Sequence, residues 1–553
     1  MPAPIITAND LENGQMKSVD VGGDQKVLIA KVQGKVYATT NKCTHFGAPL
    51  EKGVLTADGR LTCPWHGACF NVKTGDIEDA PGMACLKTFP VAISGDKIHI
   101  EVTPEAAKQT VPIPNRPSPK KDDTVVIIGN GSGGQSAAEA LREHGFGGKI
   151  VVFGKEPYLP IDRTKLSKGL DVSAEKIALR PEEFYREREI ALHAEKEVKE
   201  VDLAKRQVTL TDGTTQGYSH LVLSPGSYPR PLDVPGKELK NVHLLRSLVD
   251  ANALHKAIKS KEKPKVIIVG TGFIGLELAS VLAKDGTACV TVLARNETPL
   301  KPVLGEEIGK FIKRWHEEKG VTFKVAQPKS FEPSVVNPSE VGTVKLTTGE
   351  ELAADVVLVA IGAQPATTFL KPTGLLNDDG SIEVDNFLRV HSHPEVYVAG
   401  DVARIPLGGT DQKVRVEHWN VARNTGRSIA RNIAIASGSQ PPASADSELE
   451  PFTKVPYFWT VQYGNSVRYA GGGPFDEVYV DGDLTSKKGD ETSFVAYYAN
   501  KGAVVAVASL NKDPVVSQFS ELLRLKRVPT LAEIKGGKSI LSVPLGPANA
   551  ANL

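Results

Sequence analysis

The 553-residue chain has few features of a membrane, secreted or nucleic-acid-binding protein. It contains no run of eighteen apolar residues, so the sequence predicts no membrane span. The net charge of +1 gives no overall attraction to nucleic acid or to an anionic membrane. Five cysteines favour a reducing compartment, and residues 1–20 lack the apolar core of a targeting peptide. We therefore expect a cytoplasmic protein, and the length predicts three to four domains.

Two of the cysteines belong to a repeated Cys–His pattern. One residue separates Cys43 from His45, two separate Cys63 from His66, and seventeen lie between His45 and Cys63. This spacing suits a Rieske [2Fe–2S] cluster, with the thiolates on one iron and the imidazoles on the other. A zinc site is the alternative, but zinc fingers pair Cys with Cys and His with His, whereas both pairs here are mixed. The pattern thus favours an electron-transfer cluster.

Three positions near these ligands predict the reduction potential of the cluster. Respiratory-complex Rieske proteins carry a disulfide between the two cluster loops, but Ala48 and Trp65 stand at those positions here. A serine that donates a hydrogen bond to a bridging sulfide is replaced by Ala68. With fewer hydrogen-bond donors to its sulfurs, the reduced cluster is less stabilised. We therefore expect a reduction potential toward the low end of roughly −150 to +300 mV. Cys69 and Cys85 are predicted to be small buried thiols.

Two glycine-rich motifs, each between a predicted buried strand and a predicted helix, indicate dinucleotide binding. The first strand–helix–strand set is 124–128, 135–144 and 149–153, and the second is 265–269, 276–284 and 288–293. Glycines allow a tight turn whose backbone N–H groups approach a pyrophosphate at a helix N-terminus. The predicted binding positions are Gly129, Gly131, Ser132, Gly133 and Gly134, and Gly270, Gly272, Phe273, Ile274 and Gly275.

Further motifs stand between and after these two. Ser-Pro-Gly at 224–226, Ala-Ile-Gly at 360–362 and Gly-Asp at 400–401 resemble conserved turns of flavoprotein reductases with two dinucleotide-binding domains. The stretches 156–168 and 456–459 are more selective. With the Cys–His motifs, the chain resembles the Rieske-bearing apoptosis-inducing-factor-like FAD/NAD(P) oxidoreductases of the ferredoxin/rubredoxin reductase superfamily.

The resemblance implies an α/β fold. It comprises two Rossmann-type dinucleotide-binding domains and a small C-terminal α+β domain, preceded by an all-β Rieske [2Fe–2S] domain. The expected boundaries are 1–103 for the Rieske domain, 104–123 for a Pro-rich linker, 124–244 and 378–451 for the FAD-binding domain, 245–377 for the NAD(P)H-binding domain, and 452–553 for the C-terminal reductase domain.

The resemblance also implies cofactor contacts. Arg163 and Lys168 are expected at the flavin, where a cation stabilises the anionic reduced ring and so takes part in catalysis. Taken singly, Trp459 could be a core residue, and Glu417 and His418 a helix N-terminus. The other expected cofactor-binding positions are Lys155, Glu156, Val198, Arg230, Glu277, Gly362, Gly400, Asp401, Glu417, His418, Trp419 and Trp459.

The nicotinamide donor is predicted from the residues after the second unit's second strand. NADH-selective members place a carboxylate there for the ribose 2′-hydroxyl. Arg295 stands in this region instead, and its charge attracts a 2′-phosphate. We expect NADPH to be accepted and weakly preferred over NADH, although Glu297 lies close by and Arg295 could be a solvated loop residue.

The expected activity is that of an FAD-dependent NAD(P)H oxidoreductase. Electrons are expected to pass from NAD(P)H through FAD to the cluster, whose histidine side then reduces an external acceptor. An oxygenase, a cytochrome, a ferredoxin and a small molecule are all open as acceptors, and so is the oligomeric state. No Cys-x-x-Cys or Cys-x4-Cys adjoins either glycine motif, which excludes disulfide reductase chemistry. The alternatives are an NAD(P)H oxidase or quinone reductase, and a redox-regulated signalling protein.

Overall fold

A computed structural model describes residues 6–7, 10–118, 122–169, 172–284, 286–407, 412–441, 448–485 and 488–546. Residues 1–5 and 8–9 of the predicted Rieske domain, residues 119–121 of the predicted linker and residues 547–553 of the predicted C-terminal domain lie outside these ranges. None of the described helices is long and apolar enough to cross a membrane. We name the described parts the N-terminal unit, the first and second nucleotide units and the C-terminal unit.

The N-terminal unit is an all-β structure of short antiparallel strands. Alternate residues of the strand Lys26–Val32 pack into two different cores, Leu28 and Ala30 into one and Val27 and Ile29 into the other. One four-stranded sheet has the order Thr88–Phe89, Lys35–Thr40, Lys26–Val32, Met16–Asp20, and the second has the order Val54–Leu55, Arg60–Thr62, Cys69–Asn71, Ile77–Asp79. A three-stranded sheet contains Ile6–Thr7, Lys97–Ile100 and Val91–Ser94, and a 3₁₀ helix covers Leu50–Lys52.

The Pro-rich segment 104–118 is more structured than the sequence predicts. It contains a short helix, Pro104–Ala107, whose N-terminus is capped by the Thr103 hydroxyl. The strand Thr110–Val111 then pairs with Cys85–Leu86 of the N-terminal unit. This pairing keeps the segment on the surface of that unit instead of leaving it extended.

The first nucleotide unit is built on a six-stranded sheet, in which parallel strands need buried faces and so are rich in Val and Ile. Its order is Ile190–His193, Lys149–Phe153, Thr124–Ile128, His220–Leu223, His393–Val398, Arg389–Val390, and only the last pair is antiparallel. Smaller sheets join Val198–Asp202, Gln207–Leu210 and Thr215–Gly217, and Ile382–Glu383, Ala403–Pro406 and Lys413–Val414. The helices are Ser132–Glu143, Ala174–Ile177, Glu182–Glu187 and Trp419–Ala436, with 3₁₀ turns at Arg163–Lys165, Thr368–Thr373 and Gly400–Val402.

The second nucleotide unit repeats this plan with a five-stranded parallel sheet. The order is Val242–His243, Val356–Val359, Lys265–Val269, Cys289–Ala294, Thr322–Val325. The helices are Leu248–Lys259, Phe273–Lys284 and Lys301–Glu318, and a second sheet contains Pro328–Pro333, Val341–Leu346 and Glu351–Ala353. The hairpin-like pair Ser227–Pro229 and Ala363–Pro365 connects the two nucleotide units.

The C-terminal unit is a five-stranded antiparallel sheet covered by helices. The strand order is Tyr457–Gln462, Asn465–Gly471, Ala503–Leu510, Phe494–Asn500, Glu477–Gly482. The helices are Val515–Arg524 and Leu531–Lys535, with 3₁₀ turns at Gly489–Glu491 and Ile540–Ser542. One face of the sheet packs on Phe311 and Trp315 of the second nucleotide unit, and the other packs on the helix Val515–Arg524.

Polar contacts hold the N-terminal unit against the rest of the protein. Asn420 Nδ2 donates to the Ala80 carbonyl at 2.9 Å, and Asn424 Oδ1 accepts from the Ala80 N–H at 2.7 Å. Ser517 Oγ donates to the Cys63 carbonyl at 2.8 Å. The helices Trp419–Ala436 and Val515–Arg524 therefore both bind the part of the N-terminal unit that carries the Cys–His motifs.

Candidate active site

The two Cys–His loops each form a backbone turn of the same kind. The Cys43 N–H donates to the Ala48 carbonyl at 2.9 Å, and the Cys63 N–H donates to the Ala68 carbonyl at 2.8 Å. The glycine four residues after each cysteine has a positive φ, +74° at Gly47 and +70° at Gly67, which glycine adopts without strain. The two loops thus close in the same way, although the histidine follows its cysteine by two residues in the first loop and by three in the second.

The four candidate ligands converge. The Nδ1 atoms of His45 and His66 lie 3.1 Å apart, and the Cys43 and Cys63 thiols are buried and in contact. Burial lowers the pKa of His45 to about 3 and that of His66 to about 2, so both imidazoles are neutral at pH 7, the form that binds metal. Two thiols and two neutral imidazoles around one point fit a Rieske [2Fe–2S] cluster.

A cavity of about 760 Å³ lies where the two nucleotide units and the C-terminal unit meet. The first glycine turn at one side of it accepts no larger residue, because a Cβ on Gly129 would lie 2.1 Å from the Ser224 carbonyl oxygen and one on Gly134 would lie 1.9 Å from the Gly129 carbonyl oxygen. The helix begins inside this motif, at Ser132, three residues earlier than predicted. Such a backbone cradle fits the pyrophosphate of FAD.

Lys168 and Glu277 form an ion pair at the cavity wall. Lys168 Nζ lies 2.7 Å from Glu277 Oε2 and also donates to the Thr164 carbonyl at 3.0 Å. The same carboxylate accepts hydrogen bonds from Ser167 Oγ at 2.6 Å and Thr460 Oγ1 at 2.9 Å. One carboxylate therefore fixes a cation at the cavity and joins all three surrounding units.

Two further ion pairs lie at the predicted flavin positions Arg163 and Asp401. Arg163 forms a bidentate ion pair with Glu156 and donates to the Arg246 carbonyl at 3.0 Å. Asp401 Oδ2 accepts from Ser227 Oγ at 2.7 Å and from Arg246 Nη2 at 2.9 Å. The sequence did not point to Arg246, because no motif adjoins it and its partner lies 155 residues away.

The predicted cofactor positions fall into three groups. Those that line the cavity are Ser132, Arg163, Lys168, Phe273, Ile274, Glu277, Gly362, Asp401, Glu417, His418, Trp419 and Trp459. Those in the adjoining turns are Gly129, Gly131, Gly133, Gly134, Gly270, Gly272, Gly275 and Gly400. Those that the structure does not bring to the cavity are Lys155, Glu156, Val198, Arg230 and Arg295.

The third group has other partners. Lys155 Nζ lies 2.8 Å from Glu197 Oε1 at the surface, and Val198 is buried in the core of the first nucleotide unit. Arg230 Nε donates to the Ala363 carbonyl at 2.9 Å. Arg295 is exposed in the turn after the strand Cys289–Ala294.

Trp459 lies between the cavity and the cluster ligands. Its ring centroid is 4.3 Å from that of His66, 5.7 Å from that of His45 and 5.0 Å from that of His418. His66 is only 7% exposed, and its ring contacts Trp459, which lines the cavity. The sequence motifs around His45 and His66 do not predict their contact with Trp459, because Trp459 is distant in the sequence. Phe46, in contact with His45 at 3.9 Å between centroids, is 51% exposed.

Comparison with known families agrees with these two sites. Residues 123–426 match the family model of the pyridine nucleotide-disulphide oxidoreductases. The chain belongs to this family. Residues 1–90 match the Rieske [2Fe–2S] domain, so this oxidoreductase carries a Rieske domain before its nucleotide-binding region. The family resemblance, the fold class and the cofactors predicted from the sequence are thereby confirmed.

Individual relatives cover either the whole chain or its reductase part. Apoptosis-inducing factor 3 of Homo sapiens is 38% identical over 545 residues, which is 96% of this chain and 86% of the relative. A ferredoxin–NAD(P)+ reductase of Sphingomonas sp is 33% identical over 73% of this chain and 93% of its own length. The solved covalent complex of putidaredoxin reductase with putidaredoxin matches with a TM-score of 0.68 and 29% identity over 77% of this chain and 97% of that one.

These findings establish the class of activity. The protein is an FAD-dependent NAD(P)H oxidoreductase that passes electrons from NAD(P)H through FAD to an iron–sulfur centre and to an external acceptor. The structure adds the geometry of the chain's own residues around both sites.

Proposed function

We propose that this chain is a ferredoxin reductase whose iron–sulfur partner is part of the same polypeptide and is reduced in place. One observation carries the proposal: Trp459 lines the flavin cavity and contacts both histidine ligands of the cluster. When bound, FAD would accept a hydride from NAD(P)H and release its electrons singly to the [2Fe–2S] cluster. A partner held on the same chain has an effective concentration of about millimolar, so no encounter in solution is needed.

The roles of the site residues follow from their positions. We assign Cys43, His45, Cys63 and His66 to the cluster, and the turn from Gly129 to Gly134 to the FAD pyrophosphate. Lys168 holds a positive charge at the cavity, and Glu277 fixes its Nζ in place. Asp401 is oriented by Ser227 and Arg246 toward a polar part of the cofactor. His418, whose pKa burial lowers to about 3, is neutral at pH 7 and packs on Trp459.

The proposed domain boundaries are those expected from the sequence, with the segment 104–118 joined to the N-terminal unit. None of the five cysteines forms a disulfide within the described residues, which supports a cytoplasmic location. We propose no nucleic-acid partner. The acceptor is a one-electron carrier that meets the cluster loop on the side of His45, where Phe46 is exposed.

We further propose that NADPH is preferred over NADH. Arg295, exposed directly after the strand Cys289–Ala294, is free to pair with a ribose 2′-phosphate. Glu297 lies in the same exposed turn, and its carboxylate would instead favour the 2′-hydroxyl of NADH. The relative rates with the two donors decide between these residues.

The experiment is anaerobic reduction of the holoprotein with NADPH or NADH, followed by low-temperature EPR. We expect a Rieske-type signal from both donors, formed faster with NADPH. Trp459→Leu should leave flavin bleaching intact and slow the growth of the signal several-fold. Trp65→Leu is the matched control, because Trp65 lies beside His66 at 6.4 Å between centroids but does not line the cavity.

Two other outcomes would replace this proposal. If the flavin bleaches and the cluster stays EPR-silent while dithionite produces the signal, another protein reduces the cluster. Fast turnover with oxygen or a quinone after mutation of His66 would then identify an oxidase or quinone reductase. Partner binding that changes with NADPH while turnover stays negligible would identify a signalling protein.

A further inference from the structure

Arg423 is a buried cation at the boundary between the N-terminal unit and the first nucleotide unit. It lies on the helix Trp419–Ala436 and is only 1% exposed. Its Nη1 lies 3.1 Å from the Met83 sulfur of the N-terminal unit, and its guanidinium lies 5.9 Å from the centroid of the Trp419 ring. It does not line the flavin cavity. The helix thus carries this charge toward the cluster-bearing unit, away from the FAD cradle.

Neighbouring arginines form ion pairs, whereas Arg423 forms none with the residues that the structure describes. Arg180 pairs with both oxygens of Glu139 at 2.9 Å, and Arg427 pairs with Glu143 at 2.9 and 3.0 Å. Within the described part of the chain, no carboxylate lies at ion-pair distance from Arg423, and its Nε has no hydrogen-bond partner. Burial lowers the pKa of Arg423 to about 10. A buried charge without a partner costs several kcal/mol, so the site is suited to an additional negative charge.

Glu139 and Asp162 act on Arg423 only from beyond ion-pair distance, and the cluster is a further candidate for that negative charge. Met83 belongs to the loop that packs on the first ligand loop: Thr44 Oγ1 donates to the Ala84 carbonyl at 2.7 Å, and a Cβ on Gly82 would lie 3.3 Å from Thr44 Oγ1. Through Met83, the guanidinium contacts the loop that packs on Thr44, the residue between the ligands Cys43 and His45.

We propose that Arg423 raises the reduction potential of the Rieske cluster. With two neutral histidines and two thiolates, the cluster has no net charge when oxidised and gains one negative charge when it accepts an electron. That electron comes from NAD(P)H through FAD, and no bond is made or broken at Arg423. A buried cation stabilises the reduced form more than the oxidised one. Arg423 thus opposes the low potential that Ala48, Trp65 and Ala68 predict.

The charge comes from the reductase part of the chain, which makes the potential a property of the assembled protein. Arg423 reaches the N-terminal unit only because the helix Trp419–Ala436 is docked on it through Asn420 and Asn424. A cluster measured without this helix would lack the cation. The inference rests on the cluster assignment in the proposed function and concerns its potential alone.

The test compares Arg423→Gln with Arg423→Lys in the full-length holoprotein. The midpoint potential of the cluster is measured by EPR during a dithionite titration with redox mediators. Arg423→Gln should shift the equilibrium at least tenfold toward the oxidised cluster, which is about 59 mV lower for one electron. Arg423→Lys keeps the charge and should retain a potential close to wild type. Iron content, FAD content and the EPR g values report whether each variant is correctly assembled.

A second variant guards against loss of folding. In the double variant Arg423→Gln/Met83→Lys, the positive charge is placed on residue 83, the contact partner of residue 423. The reduction potential of the cluster should then rise again. An unchanged midpoint in a correctly assembled Arg423→Gln protein overturns the proposal. So does an equal drop in Arg423→Lys, since packing and not charge would then set the potential. Dithionite bypasses the flavin, so this result is independent of whether NADPH reduces the cluster.

Discussion

The two glycine turns differ in how closely the protein packs around them. In the first, a Cβ on Gly134 would lie 1.9 Å from the Gly129 carbonyl oxygen, whereas in the second a Cβ on Gly275 would lie 3.1 Å from the Gly270 carbonyl oxygen. The helix after the first turn is buried almost throughout. The helix after the second turn begins at the surface, and Ile274 is 46% exposed.

The closer packing of the first turn suits a cofactor that stays bound, and the more open second turn suits one that exchanges. The first helix is covered by the helix Trp419–Ala436, where a Cβ on Gly426 would lie 2.3 Å from the Gly133 carbonyl oxygen. Two backbones in contact at glycine hold this turn in a fixed position, which suits a cofactor that stays bound, as FAD does. An open second turn lets NAD(P)H bind and leave in every catalytic cycle.

The largest expected effect comes from alanine at the last glycine of each turn. Gly134→Ala places a methyl group against backbone and should cost about 1–3 kcal/mol or more, so the purified protein should contain little FAD. Gly275→Ala should retain FAD and raise the KM for NAD(P)H several-fold. FAD absorbance per protein and steady-state kinetics measure the two effects. Equal FAD content in the two variants would remove the distinction between the turns.

A charge reversal after the second strand of each unit sharpens the comparison. Arg295→Glu replaces a cation by a repelling carboxylate and should lower the ratio of kcat/KM for NADPH over NADH roughly 10- to 100-fold, the value of one charge-assisted hydrogen bond. Lys155→Glu is the matched control in the first unit, because Lys155 is exposed and paired with Glu197. Its selectivity should equal that of wild type. If the kcat/KM ratio does not change in Arg295→Glu, Glu297 and not Arg295 selects between NADPH and NADH.

The smallest effect should be the same in both units. Burial lowers the pKa of His144 in the first unit to about 3 and that of His316 in the second to about 4. The unfolded chain binds these protons near pH 6.5, so the stabilisation is complete above that pH and is lost as the pH falls toward 4. Each histidine should contribute about 1 kcal/mol of destabilisation between pH 6.5 and 5.5.

Thermal unfolding of wild type, His144→Gln and His316→Gln at pH 7.5 and 5.5 measures this contribution. Each single variant should lose part of the acid sensitivity. Stability that does not change with pH in wild type would show that both histidines become protonated in the folded protein.

Local patterns were sufficient for the strands and the ligands. The strands Thr124–Ile128 and Lys265–Val269 have the predicted bounds, because a run of Val and Ile after a charged residue describes a buried parallel strand by itself. The mixed Cys–His spacing likewise points to the four candidate ligands, since each of the two loops is closed by a hydrogen bond within its own backbone. The helices began earlier than predicted, since their first turn lies inside the glycine motif.

Contacts between distant parts of the chain were not predictable in this way. Arg246 meets Asp401 and Arg423 meets Met83 only after the units assemble, and neither arginine belongs to a motif. The ring contact of His66 with Trp459 likewise joins the N-terminal unit to the C-terminal unit. Sequence periodicity reports which face of an element is buried, but not which other element covers it.

The order of residues along the chain also determines when the cluster can be loaded. Ser517, which holds the Cys63 loop, follows it by 454 residues, and the Ala57 N–H bonds the Leu545 carbonyl at 3.2 Å near the end of the described chain. At 5–20 residues per second, the ribosome completes the docking surface roughly 20–90 s after the ligand loops. During that interval the reductase has not yet closed over the two imidazoles. Synthesis from the N-terminus thus leaves time for iron and sulfide to reach the ligand loops before docking.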